Sequence, residues 1–305
     1  MMCLASAAGF GLMAVLARAA YDDGVSVPTL LIVRFAIAAV VLLAVAAARG
    51  SLSTLGRRGL AVGLLLGGVG YALQSTFYFS ALQHADAAIV ALVFYAYPVL
   101  VMVVAVALGR ESASVRRVGA LGLAIAGTVL VLAGAATGSM APLGVLLAAG
   151  AAVTYTCYIV VGDAVTRGLA PVPLSAIVCL GAAISFGLTG GVGGGLDLGF
   201  APQAWVWLVA IALVSTVGSV LLFFAGLARV GPSTAALLSV LEPVVTVASA
   251  AVVLGEAPTL LQWGGGALVI AAVVVLQWRA RPPVPPAEAI DPGLVVGAAP
   301  ATAAR

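Results

Sequence analysis

FYFSALQHADAAIVALVFYAYPVLV, from Phe77 to Val101, is answered 145 positions later by LFFAGLARVGPSTAALLSVLEPVVT, from Leu222 to Thr246. Laid over each other without a gap, the windows pair Phe79 with Phe224, Leu82 with Leu227, Ala91 with Ala236, Pro98 with Pro243 and Val99 with Val244. The register continues beyond them to Glu111 with Glu256 and Gly119 with Gly264. Both windows are apolar enough to sit in hydrocarbon. Their reading is a duplicated membrane protein, and a duplication on this scale organises the whole chain rather than one motif.

Composition agrees. Of 305 residues, 64% are hydrophobic and only 8% charged, against about one-quarter charged in an average soluble domain. A formal charge of +3 spread over this length is no basic patch, so nucleic acid is excluded as a partner. All 13 basic residues are arginine. Without lysine the chain has no Walker-type phosphate loop and no Schiff-base chemistry, which argues against direct ATP hydrolysis. Cys3, Cys157 and Cys179 fall in apolar runs at spacings unlike a metal site and read as packing residues. With His84 as the single histidine, no zinc site or HExxH helix can be assembled. No nucleophile stands with a base and an orienting group, so no catalytic residue, metal or cofactor is expected and an enzyme is disfavoured. The start, MMCLASAAGFGLMAVLARAAY, lacks a basic n-region and is long enough to span, so it reads as a first helix rather than a cleaved signal.

A span needs about 20 mostly apolar residues. Ten segments qualify, near 2–20, 28–48, 60–82, 87–108, 116–135, 143–162, 173–190, 204–228, 232–254 and 260–279. With the N-terminus on the cytoplasmic side, inner links hold Arg49, Arg57, Arg58, Arg110, Arg116, Arg117, Arg167 and Arg229, and the tail holds Arg279, Arg281 and Arg305. The outer links hold Asp22, Asp23, His84, Asp86, Asp197 and Glu256 and no arginine, the distribution expected of a positive-inside topology. Each half has five spans, an odd number, so the second enters the membrane upside down relative to the first. Inverted repeats of this kind usually belong to secondary transporters, which bind substrate near the midplane where the halves meet. The expected division is 1–138 for the first repeat, 139–280 for the second, and 281–305 for a disordered Pro-rich cytoplasmic tail.

Ten spans in two inverted halves, with LEPVVTVASAAVVLGEAPTLLQWGGGALVIAAVVVL (Leu241 to Leu276) and its first-half counterpart YPVLVMVVAVALGRESASVRRVGALGLAIAGTVLVL (Tyr97 to Leu132), resemble the EamA family of the drug/metabolite transporter superfamily. Arg34, near the start of the second span in LIVRFAIAAVVLL, also fits that pattern. The resemblance runs to about residue 280. One departure is Phe10, where a tryptophan is usual, with Tyr155 at the equivalent place in the second half. The resemblance implies an ATP-independent exporter or permease for amino acids, other small metabolites or drugs; the expected place is the bacterial inner membrane, with both termini cytoplasmic as the arginines set them.

Polar side chains inside a span are costly and tend to face the bundle interior. Helical spacing puts Tyr71, Gln74 and Tyr78 on one face of the third span. Tyr95 precedes Pro98 by three residues in the fourth, where the proline frees a carbonyl and favours a kink. The sixth span offers Thr154, Tyr155 and Tyr158, and the ninth offers Ser239 and Glu242 before Pro243. Together they suit an amphipathic substrate pocket, although a tyrosine can equally well bond a neighbouring helix or sit in the interfacial belt. Glu242, roughly 15 Å into its span, is the sharpest candidate. A carboxyl at that depth suits proton coupling or capture of a cationic amine, and the plainer alternative is a hydrogen bond between helices. Arg34, about two turns from a helix end, reads as snorkelling toward Asp22 or Asp23 in a structural or gating role. Glu111 and Glu256 read as loop or ion-pair residues. Gly63, Gly67 and Gly70, and Gly264, Gly265 and Gly266, form small-residue seams.

The expectation is a ten-span secondary transporter working by alternating access, with lipid and a small molecule as partners and protons as the candidate coupling ion. A multidrug exporter, with a more apolar pocket and more than one acid, and a non-transporting receptor or scaffold, with a packed dry core, are the alternatives.

Overall fold

The computed structural model describes residues 1–81, 84–85, 87–133, 141–192, 196–253, 255 and 257–277. Every regular element among them is helical. Ten helical segments are long and apolar enough to cross a bilayer: α1 (Met2–Asp22), α2 (Val27–Ala48), α3 (Leu52–Ala81), α4 (87–107), α5 (Val115–Ala133), α6 (Pro142–Thr166), α7 (Pro171–Gly190), α8 (Ala204–Val230), α9 (Pro232–Val253) and α10 (Leu260–Gln277). The third starts earlier than hydropathy implies. A 3-10 turn at Leu52–Leu55 leads into the helix at Gly56, so Arg57 and Arg58 ride on its first turns. The boundary expected at residue 138, Glu256 and the tail 281–305 lie outside the described residues.

The repeat governs the backbone as well as the sequence. Helix α4 is interrupted at Tyr95 and Ala96, between Ala87–Phe94 and Tyr97–Ala107. Helix α9 is interrupted 145 positions later at Val240 and Leu241, between Pro232–Ser239 and Glu242–Val253. Pro98 and Pro243 explain both breaks: proline cannot donate to the preceding turn, clashes with it, and is at home only in the first turn of the helix that restarts. A second matched irregularity lies in α3 and α8, which loosen into π-helical stretches at Leu66–Tyr71 and Ile211–Gly218, starting at equivalent positions. Such bulges often accompany functional sites.

Packing obeys the same exchange. Helix α2 lies against α7 and α5 against α10, each pair joining equivalent helices of the two halves. Helix α1 packs on α8 and α9, while its counterpart α6 packs on α3 and α4. The α5–α10 seam is tightest at two glycines. A Cβ on Gly127 would lie 2.6 Å from the Gly265 carbonyl oxygen, and one on Gly265 would meet the Gly127 carbonyl in return. Across α3 and α7, Gly67 leaves no room for a Cβ against the Val178 carbonyl. The seams expected from the sequence are corrected in one particular: Gly264 has open space beside it, and Gly265 makes the close approach.

Large apolar side chains face outward as well as inward. Val40, Leu146 and Leu188 are each about two-thirds exposed, the surface of a bundle solvated by hydrocarbon rather than water. Cys157 belongs to this outer surface, whereas Cys3 and Cys179 pack inside as expected.

Candidate functional site

The two interrupted helices, α4 and α9, and one of the two π-bearing helices, α3, border one cavity of about 520 Å³. Its wall takes Phe10, Met13 and Arg18 from α1, Arg34 from α2, Tyr71, Gln74 and Tyr78 from α3, Phe94 and Tyr95 from α4, Tyr155 from α6, and Glu242 and Thr246 from α9. It continues past Val131 and Leu132 to Ala257, Pro258 and Gln262, at the end of the bundle where α5 finishes and α10 begins.

Glu242 is the first residue after the α9 break, and its Oε2 accepts a hydrogen bond from the Tyr95 hydroxyl at 3.1 Å. That bond ties the two interrupted helices together across the repeat. Behind it, α1 comes close because position 11 is glycine: a Cβ there would lie 2.7 Å from the Glu242 carbonyl oxygen and from Val245. The Thr246 hydroxyl donates to the Gly11 carbonyl at 2.9 Å, fixing that approach.

Aromatic rings make up much of the remaining wall. Phe94 packs with Tyr78, Tyr95 and Tyr155 at centroid distances of 5.2, 5.7 and 5.5 Å. Beneath them the fully buried Tyr97 sits edge-on to Tyr155 at 4.8 Å. Rings in these offset and edge-to-face arrangements add stability beyond their buried area and present a rigid apolar surface. Gln74, buried at 8% exposure, brings an amide into this surface beside Ser75.

Of the residues singled out by sequence, Tyr71, Gln74, Tyr78, Tyr95, Tyr155 and Glu242 border the cavity together. Three do not. Tyr158 is buried behind the wall against Tyr71 and Tyr155. The hydroxyls of Thr154 and Ser239 turn back on their own helices, to the carbonyls of Gly150 and Ala235. Thr154 neighbours Tyr155 in sequence, but one residue is about 100° around a helix, enough to leave the cavity.

Arg34 requires a correction. It does not snorkel to Asp22 or Asp23; it is 2% exposed, turned inward, and donates to Tyr71 Oη at 3.0 Å and to Met13 Sδ at 2.7 Å. Its guanidinium carbon lies 4.4 Å from the Phe35 ring centroid. Asp23 is instead held by Trp207 Nε1 at 3.0 Å, which binds the α1 end to α8. Phe10, Met13, Phe94 and Thr246 were also missed as lining residues. Phe10 had a usable signal, since it stands 145 positions before Tyr155.

The opposite, arginine-rich end is stitched together. Glu111 Oε2 pairs with Arg117 at 2.8 Å, while Oε1 accepts the Ser233 backbone N–H at 3.2 Å, capping the first turn of α9. Arg110 donates to the Val160 carbonyl at 3.0 Å, and Arg116 to the carbonyls of Val275 and Leu276. The described cavity-lining residues include none of these.

No curated protein matches the chain. Among solved structures, one described only as "Crystal structure of protein" is similar with a TM-score of 0.77 at 25% identity, covering 91% of this chain and 96% of that one. The EamA-like transporter family matches twice, over residues 1–133 and 142–278, one match to each five-helix half. The chain therefore belongs to the EamA-like transporter family and is a multi-pass membrane protein.

Proposed function

We propose that the protein is a secondary active exporter of small amphipathic metabolites such as amino acids, working by alternating access across the bacterial inner membrane with both termini cytoplasmic. One observation carries this reading. A cavity lined by aromatic rings, an amide and a carboxyl lies between the two repeats and extends toward the arginine-poor end, while the arginine-rich end is closed by bonds such as Glu111 to Ser233. With arginines inside, that arrangement is an outward-facing state. Exchanging the conformations of the two inverted halves then generates the inward-facing one.

In this reading Tyr71, Gln74, Tyr78, Tyr95 and Tyr155 contact the substrate and Glu242 couples its passage to a proton or takes its amine. The breaks before Pro98 and Pro243 supply the points at which α4 and α9 flex. The cavity supports transport over a packed, non-transporting scaffold, and its single described carboxyl supports a metabolite over a multidrug range.

The test is flux in proteoliposomes across a panel of amino acids, with and without an imposed proton gradient. Accumulation of some members that increases with the gradient is expected. Absence of flux for the panel and for lipophilic cations would end the transporter reading.

A further inference from the structure

Arg34 is a buried charge whose partners are all neutral. Its guanidinium donates to a phenol, Tyr71, and to a thioether, Met13, and lies over the Phe35 ring; its Nε has no hydrogen-bond partner. Among the described residues no carboxylate lies within ion-pair distance of it. A guanidinium does not lose its proton, and a thioether is a weak acceptor, so this charge is left poorly compensated where compensation matters most. It nevertheless forms part of the cavity wall, on the side built by α1, α2 and α3. The Glu242 carboxyl forms part of the same wall on the side built by α4 and α9, and its described partner, the Tyr95 hydroxyl, is neutral too.

We propose that Arg34 is the anion-binding end of the cavity and that the substrate is a zwitterion, its carboxylate on the Arg34 guanidinium and its ammonium on the Glu242 carboxylate. This rests on the transporter reading and adds the substrate's charge pattern to it. A carboxylate replaces the Met13 sulfur as acceptor and takes up the unused donor capacity of the fork, a geometry that guanidinium serves and ammonium does not. The rings of Tyr78, Phe94 and Tyr155 then receive the apolar part of the molecule. A simple amine leaves Arg34 as it is, and a simple acid leaves Glu242 without its cation.

The experiment measures equilibrium binding of three probes that share one ring, L-tryptophan, tryptamine and indole-3-propionate, to the full-length purified protein. The wild type is expected to bind tryptophan about tenfold or more tighter than either single-charge probe, the scale of one charge-assisted bond. Arg34→Gln is expected to bring tryptophan down to the level of tryptamine while tryptamine stays within about twofold, and Arg34→Lys to recover part of the loss. Equal binding of all three probes by the wild type overturns the proposal, and that result needs no variant to fold. A parallel loss of tryptophan and tryptamine in Arg34→Gln overturns it as well, since Arg34 would then only balance Glu242 or hold the helices. Flux of tryptophan without the probe preference leaves transport standing and removes this inference. The preference without flux of any probe does the reverse.

Discussion

Glu242 sits where three separate constraints meet: the α9 break, the hydroxyl of Tyr95 from the other repeat, and the close approach of α1 at Gly11. Replacing it by glutamine keeps the volume and the acceptor for Tyr95 but removes the charge. Glu242→Gln is therefore expected to lower gradient-driven transport at least about tenfold while the melting temperature in detergent changes little. Unchanged transport with an unchanged dependence on the gradient would reduce the carboxyl to a structural bond. Gln74→Leu should weaken substrate binding several-fold with expression preserved, because leucine is well tolerated in hydrocarbon; titration of radiolabelled substrate checks it. The sequence made these two residues legible because polar atoms deep in a span stand out, and local spacing alone put Tyr71, Gln74 and Tyr78 on one face. Arg34 was not legible in the same way. Its inward turn depends on Met13 and Tyr71 from other helices, and Gly11 matters only because a carbonyl of α9 comes to rest against it.

Among elements, the interrupted helices and the glycine seam carry different loads. The prolines that break α4 and α9 were visible in sequence, since their effect on the backbone is local. The π-helical stretches of α3 and α8 were not, because no single residue type demands them; only their matched positions mark them as part of the design of each half. The α5–α10 contact shows the same limit. Three consecutive glycines announced a seam without saying which of them faced the partner. Gly265→Leu should destabilise the protein by about 1–3 kcal/mol, because the added carbons meet the Gly127 carbonyl and force two packed helices apart. Gly264→Leu, with nothing beside it, should melt within error of the wild type. Thermal unfolding of the two variants side by side checks the assignment, and equal losses would refute it.

At the scale of the whole molecule, duplication decides more than any single motif. Equivalent helices pair across the halves, equivalent breaks face the cavity, and ten crossings follow from two copies of five. The orientation is expected to follow the arginines. Ser53→Cys and Leu198→Cys, on exposed segments at opposite ends of the bundle, should react with an impermeant thiol reagent from the cytoplasmic and the outer side respectively. Reversed labelling would invert the assignment of export and import. Loosening the arginine-rich end by Glu111→Gln removes the charge that holds Arg117 and weakens the cap on Ser233, and should raise the share of molecules open to the cytoplasm. The central claim is that one cavity serves both sides in turn. A single cysteine at Val247, on the cavity wall about a turn and a half beyond Glu242, in a chain whose three native cysteines are alanine, is the sharpest probe of it. Labelling from the outside is expected in the resting protein and, once Glu111→Gln or transported substrate shifts the population, labelling from the cytoplasmic side at the expense of the outer. Labelling from one side only under every condition would contradict it.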